Sequence, residues 1–251
     1  MVRDKLKDEE YFKGFIEHQS KRILSFDRDI ANGATVETAV PRVRYLQYTL
    51  KFDIMHAKYC IGADIEEIKE DFNALLDIWL NGYSTDPLAK DNTYGPYSRN
   101  IALIALCVLL DVDDEILDAV KKRLKEEKIN DWMFNFFLYH KEMSAAEIEG
   151  KLYWPKDYGE LKELAFMDAE QRKEPFEIFV TKKWYRKQRA CGWWGSHNQE
   201  DSKYLYHGYW AFEAAAIAKI LNIDDCTLKD FKYYPYDLVH HNLSKVSVAI
   251  S

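Results

Sequence analysis

Apolar residues in the first half of this chain recur at steps of three, four and seven. That spacing turns a helix into an amphipathic one and cannot line one face of a strand. Between about residues 8 and 32 they stand at Phe12, Ile16, Ile23, Phe26 and Ile30. Asn32-Gly33 is a good stop, since both residues tolerate positive φ. A second helix follows Pro41, with Val43, Leu46, Leu50, Ile54 and Ala57 on one stripe and Gly62 at its end. Asp64 then caps a third, with Glu67 in the capping-box position and Ile65, Ile68, Phe72, Leu75 and Trp79 as its buried face. Only 10 Gly and 6 Pro interrupt the 251 residues. Folds with many strands spend more of both on turns, so their scarcity also favours long helices.

Residues 81–98 read as the longest loop, and residues 101–110 as a charge-free apolar run. No partner strands are evident for that run, so it is expected to be a buried helix. Residues 111–127 are amphipathic, with Ile116, Leu117, Val120 and Leu124 inward. They start acidic and end basic, which complements the helix dipole. A boundary near residue 128 divides the chain into domains 1–128 and 129–251. Beyond it come Trp132–Tyr139, a capping box at Ser144 and Glu147, and a helix around 159–167. A longer helix starts near Pro175 and breaks at Cys191-Gly-Trp-Trp-Gly-Ser-His197. A strongly apolar helix spans about 204–221. The expected fold is all-α: an antiparallel helical bundle made of two packed helical subdomains.

A hydrophobic share of 47% supports a sizeable core, so the chain is not a disordered one. The formal net charge of -7 argues against a nucleic-acid-binding domain, while leaving room for a local basic patch. Cys60, Cys107, Cys191 and Cys226 show no C-x-x-C spacing and read as buried free thiols in a reducing compartment. The charged N-terminus lacks the apolar stretch of a signal peptide, and no segment approaches the roughly 20 apolar residues of a membrane span. A cytoplasmic protein with no membrane partner is the expectation.

Signatures of catalysis are missing: there is no P-loop, no G-x-G-x-x-G and no H-E-x-x-H. Ser196 and His197 are adjacent, and adjacent side chains rarely face each other as a nucleophile and its base must. His240-His241 diverge for the same reason and make a poor metal pair. Arg189 and His197 resemble the Arg-to-His pair of small helical ribonucleases, but seven residues, two of them glycine, separate them, more than the four to six of that pattern. Glu213 is the one charge in Gly208-Tyr-Trp-Ala-Phe-Glu-Ala-Ala-Ala-Ile-Ala218. A catalytic acid would look like this, as would a structural carboxylate hydrogen-bonded to Tyr, Trp or His; the latter is preferred. Trp193-Trp194, near Lys182, Lys183, Arg186, Lys187 and Arg189, could stack nucleic-acid bases. The preferred reading makes the tryptophans core and the cations a solvated helix face. No enzyme, cofactor or metal is expected.

The string Tyr206-His-Gly-Tyr-Trp-Ala-Phe-Glu-Ala-Ala-Ala-Ile-Ala-Lys-Ile-Leu-Asn-Ile-Asp-Asp225, with Leu228-Lys-Asp and Lys232-Tyr-Tyr-Pro-Tyr-Asp-Leu238, closely resembles the C-terminal domain of PoNi-type immunity proteins. Trp194-Gly-Ser-His197 supplies the aromatic and Ser-His that precede this helix in the family. The inserted Cys191-Gly192 is less typical. Met1-Val-Arg-Asp-Lys-Leu-Lys-Asp-Glu-Glu-Tyr-Phe12 and Ile65-Glu-Glu-Ile-Lys-Glu70 look like the family's N-terminal helical domain. The resemblance implies an all-helical inhibitor of PoNe-type DNase toxins of bacterial competition, with the cognate nuclease as its protein partner and no direct nucleic-acid contact. The alternatives are a small helical nuclease acting through His197 or Glu213, and a helical scaffold with another partner. His197, Gly208, Tyr209, Trp210, Glu213 and Pro235 read as a structural motif of the core. A DNase presents a basic cleft, so two acidic clusters are candidate toxin contacts: Asp64, Glu66, Glu67, Glu70 and Asp71, and Asp111, Asp113, Asp114, Glu115 and Asp118.

Overall fold

The computed structural model describes residues 2–81 and 94–241. Among them the regular structure is helical, with one isolated β-bridge, Asp131 to Lys151, and no strand. The residues gather into two compact units. One holds the described residues up to 81 together with Gly195–Tyr209; the other holds 94–194 and the described residues from 210 onward. The division near residue 128 expected along the chain lies inside the second unit.

In the first unit α1 spans Glu9–Ala31. Asp8 caps it by accepting the Tyr11 N–H at 2.9 Å, and Glu9 and Glu10 sit in the first turn. Its buried residues are Tyr11, Phe12, Phe15 and Gln19, whereas Ile16, Ile23, Phe26 and Ile30 are only half-buried. The buried face is turned away from the expected one because it meets the distant 195–209 segment. Gln19 Nε2 donates to the Tyr204 carbonyl at 3.0 Å. Gly14 serves the same approach, since a Cβ there would run into the Tyr204 ring.

Helix α2 spans Val40–Ile61, with Pro41 in its first turn and Gly62 closing it at φ +96°. It packs against both α1 and α3 (Ile65–Asn81), so it needs apolar surface on two sides. Tyr48, Phe52, Met55, Tyr59 and Cys60 are therefore buried, while Leu46 of the expected stripe is exposed and Ile54 half-buried. The α1–α2 register is antiparallel: Gln47 Nε2 donates to Ile23 O at 3.1 Å and to Asp27 Oδ1 at 2.9 Å, and Arg44 reaches Asp27 at 2.6 Å. In α3, Ile68, Phe72, Leu75, Leu76 and Trp79 are buried and Ile65 is half-buried. The capping box does not close. Asp64 Oδ1 accepts the Glu66 N–H at 2.9 Å, but Glu67 turns to Lys58 on α2 at 3.2 Å.

The second unit is built on α4, Tyr94–Leu109. Residues 82–93 of the expected loop lie outside the described residues, and 94–98 are already helical. Pro96 is tolerated there because a first turn leaves N–H groups unpaired anyway. From Leu103 to Leu109 every residue is buried, since α6 (Trp132–Tyr139) and α10 (Phe212–Leu221) both pack on α4. Ala214, Ala215, Ala216 and Ala218, all buried, let α10 lie close. Lys219 Nζ donates to the carbonyls of Val108 and Leu109 at 3.1 and 3.0 Å, satisfying the α4 C-terminus. Asp111 takes a positive φ of 48°, so α5 starts only at Asp114 and runs to Glu126. It buries Leu117, Val120 and Leu124, with Ile116 half-buried.

Glu147 accepts the Ser144 N–H at 2.8 Å as a capping box requires, but the Ser144 hydroxyl donates to the same carboxylate at 2.7 Å instead of accepting a backbone N–H, and only a turn follows. Helix α7 covers Pro155–Leu164, starting at its proline rather than near 159. The expected long helix from Pro175 is broken up. It comprises α8 (Lys173–Ile178), a widened π turn at Phe179–Lys183, α9 (Trp184–Lys187) and a 3-10 turn at Gln188–Ala190. The expected helix over 204–221 is helical only from Phe212. Tyr204 at φ +45° and Gly208 at φ +106° hold the preceding stretch out of helical conformation.

Candidate functional site

Within the first unit, the 195–209 segment is fastened by buried hydroxyls. Asp4 Oδ1 accepts the N–H groups of Leu6 and Lys7 at 2.7 and 2.8 Å, and its Oδ2 accepts the Tyr206 hydroxyl at 2.5 Å. The Tyr11 hydroxyl donates to Tyr206 O and accepts from Tyr206 N–H, both at 3.0 Å. Burial pushes the Tyr11 hydroxyl up to about 12 and the Tyr206 hydroxyl well above the ordinary tyrosine value, so both remain donors. Sequence reasoning did not single out Asp4, Tyr11 or Tyr206. A lone Asp ahead of the first helix carries no periodic signal.

Ser196 and His197 meet not each other but one ring. The Tyr209 hydroxyl lies 3.1 Å from Ser196 Oγ, 3.1 Å from His197 Nδ1 and 3.2 Å from the His197 backbone N. That is a three-way clasp around a buried tyrosine, with Gly208 beside it supplying a backbone turn that only glycine adopts without strain.

Glu213 lies in the second unit, in the first turn of α10, fully enclosed. The Trp184 indole N–H donates to its Oε1 at 2.6 Å. Burial raises this carboxyl from 4.5 to about 7, with the Trp184 hydrogen bond opposing. Trp210 is buried, and the Ala211 N–H donates to Tyr233 O at 2.9 Å, joining the start of α10 to the turn before Pro235. A second enclosed carboxylate, Asp131, caps α6 by accepting Met133 and Phe134 N–H groups; Tyr153 N–H and the Tyr97 hydroxyl also reach it. Burial moves it up to about 6. His240 and His241 diverge: His240 Nε2 meets buried Asp225 at 2.8 Å, and His241 Nδ1 lies 3.0 Å from Leu238 O. Among the described residues no group of three or more His, Cys, Asp or Glu could hold a metal ion.

The tryptophans are not uniformly core. Trp184 is buried and Trp193 half-buried, but Trp194 is 38% exposed. Its indole N–H donates to Tyr185 O at 3.1 Å.

The acidic clusters belong to different units, α3 in the first and α5 in the second. On α3, Glu67 and Asp71 are both engaged by Lys58, at 3.2 and 2.8 Å, while Asp64, Glu66 and Glu70 are exposed. Around α5, Asp111 pairs with Lys219 at 2.9 Å, Asp114 with Lys141 at 3.4 Å and Asp118 with Lys121 at 3.2 Å. Asp113 and Glu115, like Glu70, are exposed and have no ion pair among the described residues.

Two family descriptions match this chain. Residues 3–122 match the N-terminal region of the PoNe immunity protein (PoNi), and residues 129–238 match the C-terminal region of PoNe immunity proteins. The chain belongs to the PoNi family. Its fold is similar to that of protein PA2201 from Pseudomonas aeruginosa, known from its crystal structure. The TM-score is 0.68 at 18% identity, over 97% of this chain and 91% of that one. No curated protein sequence matches. As a PoNi member the chain is an immunity protein associated with PoNe nuclease toxins. No helix among its described residues is long and apolar enough to cross a membrane.

Proposed function

We propose that this PoNi-family chain binds its cognate nuclease in the cytoplasm and neutralises it without catalysis, by covering the toxin's DNA-binding or active surface. Family membership over both halves of the chain carries the reading. In support, Glu213 is enclosed and held by an indole, and His197 is held by a tyrosine hydroxyl. Glu213 is not an open, solvent-reachable acid, and the half-buried His197 has one ring nitrogen against Tyr209, whereas the alternative of a helical nuclease requires a free acid or base. The family motif of His197, Gly208, Tyr209, Trp210, Glu213 and Pro235 maintains the core, and the toxin contacts lie elsewhere.

A DNase must offer a basic cleft to phosphates, and exposed carboxylates compete for it. Carboxylates already committed to a lysine of their own chain contribute less, which ranks Glu70, Asp113 and Glu115 first in the two clusters. The test uses the nuclease encoded by the neighbouring reading frame. Asp113 and Glu115 are reversed to lysine in one variant, and Glu66, Glu67 and Glu70 in another; folding is checked by circular dichroism and association rates are measured across ionic strength. Slower association with a shallower salt dependence in at least one variant is expected. Wild-type rates for both at low salt remove the clusters from the interface. Wild-type chain that fails to bind or protect refutes the inhibitor reading itself.

A further inference from the structure

The surface around α9 carries an ordered stack that the proposed function leaves unused. The Arg189 guanidinium lies over the Trp194 ring, 5.7 Å from its centroid. Trp194 stacks on Tyr185 at 5.6 Å and 24°, and Tyr185 stacks in turn on Tyr233 at 5.0 Å and 21°. The Lys232 ammonium lies over Tyr233 at 4.7 Å. Five residues from two separate stretches of chain thus form a ladder with a cation at each end. Trp194, Arg189 and Lys232 are all exposed.

Cations are concentrated in the stretch that carries the ladder, although the whole chain has a net charge of -7. Lys183 and Lys187 are taken by Glu160, but the heads of Lys182, Arg186, Arg189 and Lys232 have no carboxylate partner among the described residues. Arg186 instead donates to the Lys182 carbonyl. Arg189 and Lys232, both exposed, therefore offer free cationic heads next to the stacked rings. Trp, Tyr and Arg are also the residue types that dominate the centres of protein interfaces.

Two kinds of partner could be drawn to cations and aromatic rings. A single-stranded nucleic acid needs open ring faces on which bases can stack. Here the faces are spent: Tyr185 stacks with two rings, and Trp194 has Tyr185 against it and Arg189 above it. What remains for a partner is ring edges and cationic heads, a presentation that suits carboxylates flanking an apolar side chain. We propose that the Arg189–Trp194–Tyr185–Tyr233–Lys232 ladder is a docking surface for an acidic protein segment. The rings hold the two end cations in place, so a carboxylate pair meets them with little side-chain freedom left to lose.

The probe is a short synthetic peptide alternating Glu and Phe, titrated into the full chain at low and physiological ionic strength and followed by tryptophan fluorescence and calorimetry. Saturable binding that weakens with salt is expected. Reversing both end cations, Arg189→Glu with Lys232→Glu, is expected to weaken it about tenfold or more. Arg189→Gln with Lys232→Gln provides the same test with near-native volume, and Trp194→Ala is expected to weaken binding too. Reversal of Lys125 and Lys128, which are not part of the ladder, should leave it unchanged. Absence of peptide binding at low salt, or wild-type binding by both end-cation variants, overturns the proposal. So does an oligothymidylate that binds more tightly than the peptide and displaces it, since that marks a nucleic-acid face. An acidic peptide does not probe the α3 and α5 carboxylates, so this result stands or falls separately from the toxin reading.

Discussion

Replacing Glu213 by glutamine isolates the energetic effect of the carboxylate enclosed beneath α10. Its carboxyl is raised from 4.5 in the unfolded chain to about 7 in the folded one. The folded state therefore holds the proton more tightly. Below about pH 4.5 the group is neutral in both states and contributes nothing to the pH dependence. As the pH rises from 4.5 through 7, the unfolded chain ionises first, and stability falls until the folded carboxyl ionises as well. A shift from 4.5 to about 7 corresponds to roughly 3 kcal/mol lost by pH 8. Glutamine keeps an oxygen to accept the Trp184 indole N–H, now 2.6 Å from Oε1, and carries no charge to desolvate. It also brings an N–H2 group that the site was not shaped for, which offsets part of the gain. Glu213→Gln is thus expected to be about 1–3 kcal/mol more stable than the wild type at pH 8; the difference falls by roughly 3 kcal/mol towards pH 4.5, where the variant is level with the wild type or up to about 2 kcal/mol less stable. Urea unfolding followed by tryptophan fluorescence across that range measures it. A variant less stable at pH 8 by an amount that does not change with pH would refute the reasoning, because it would mean that Glu213 is ionised and paired.

Tyr206→Phe removes the hydroxyl that Asp4 accepts at 2.5 Å and leaves a buried carboxylate short of a donor, so a loss of about 1.5–3 kcal/mol is expected in urea unfolding. Trp210→Ala should cost about 3–5 kcal/mol, with protection against the nuclease lost only in step with soluble protein; a folded variant that cannot bind would place the motif at the interface instead. Gly208→Ala forces a side chain onto φ +106° and should lower stability by about 1 kcal/mol or more, seen as a lower thermal midpoint with unchanged helical content.

Helical periodicity made α3 legible because α3 buries one face: Ile68, Phe72, Leu75 and Trp79 were all readable from spacing. The same method placed α2 and its buried Leu50 and Ala57 but missed most of its buried surface, because α2 packs against helices on both sides and buries polar Gln47 and His56 along with its aromatics. It also overextended α10. The string from Tyr206 is apolar enough for a helix, and Gly208 tells only that a turn is possible. Burial of Tyr206 and Tyr209 in the other unit is what requires that turn.

Chain chemistry by itself determined the helical class, the stop at Gly62, the enclosure of residues 103–109 and the family, because each depends on neighbours within a few residues or on a contiguous string. Tertiary structure alone decided which polar groups are satisfied and by what. Asp4 is answered by Tyr206, Glu213 by Trp184, and Glu67 by Lys58 rather than by its own cap. The Arg189-to-Lys232 ladder likewise exists only once the 185–194 stretch and residues 232–233 are brought together. A hydrogen bond or ring stack acts over a few ångströms of space, and separation along the chain does not report which residues come that close.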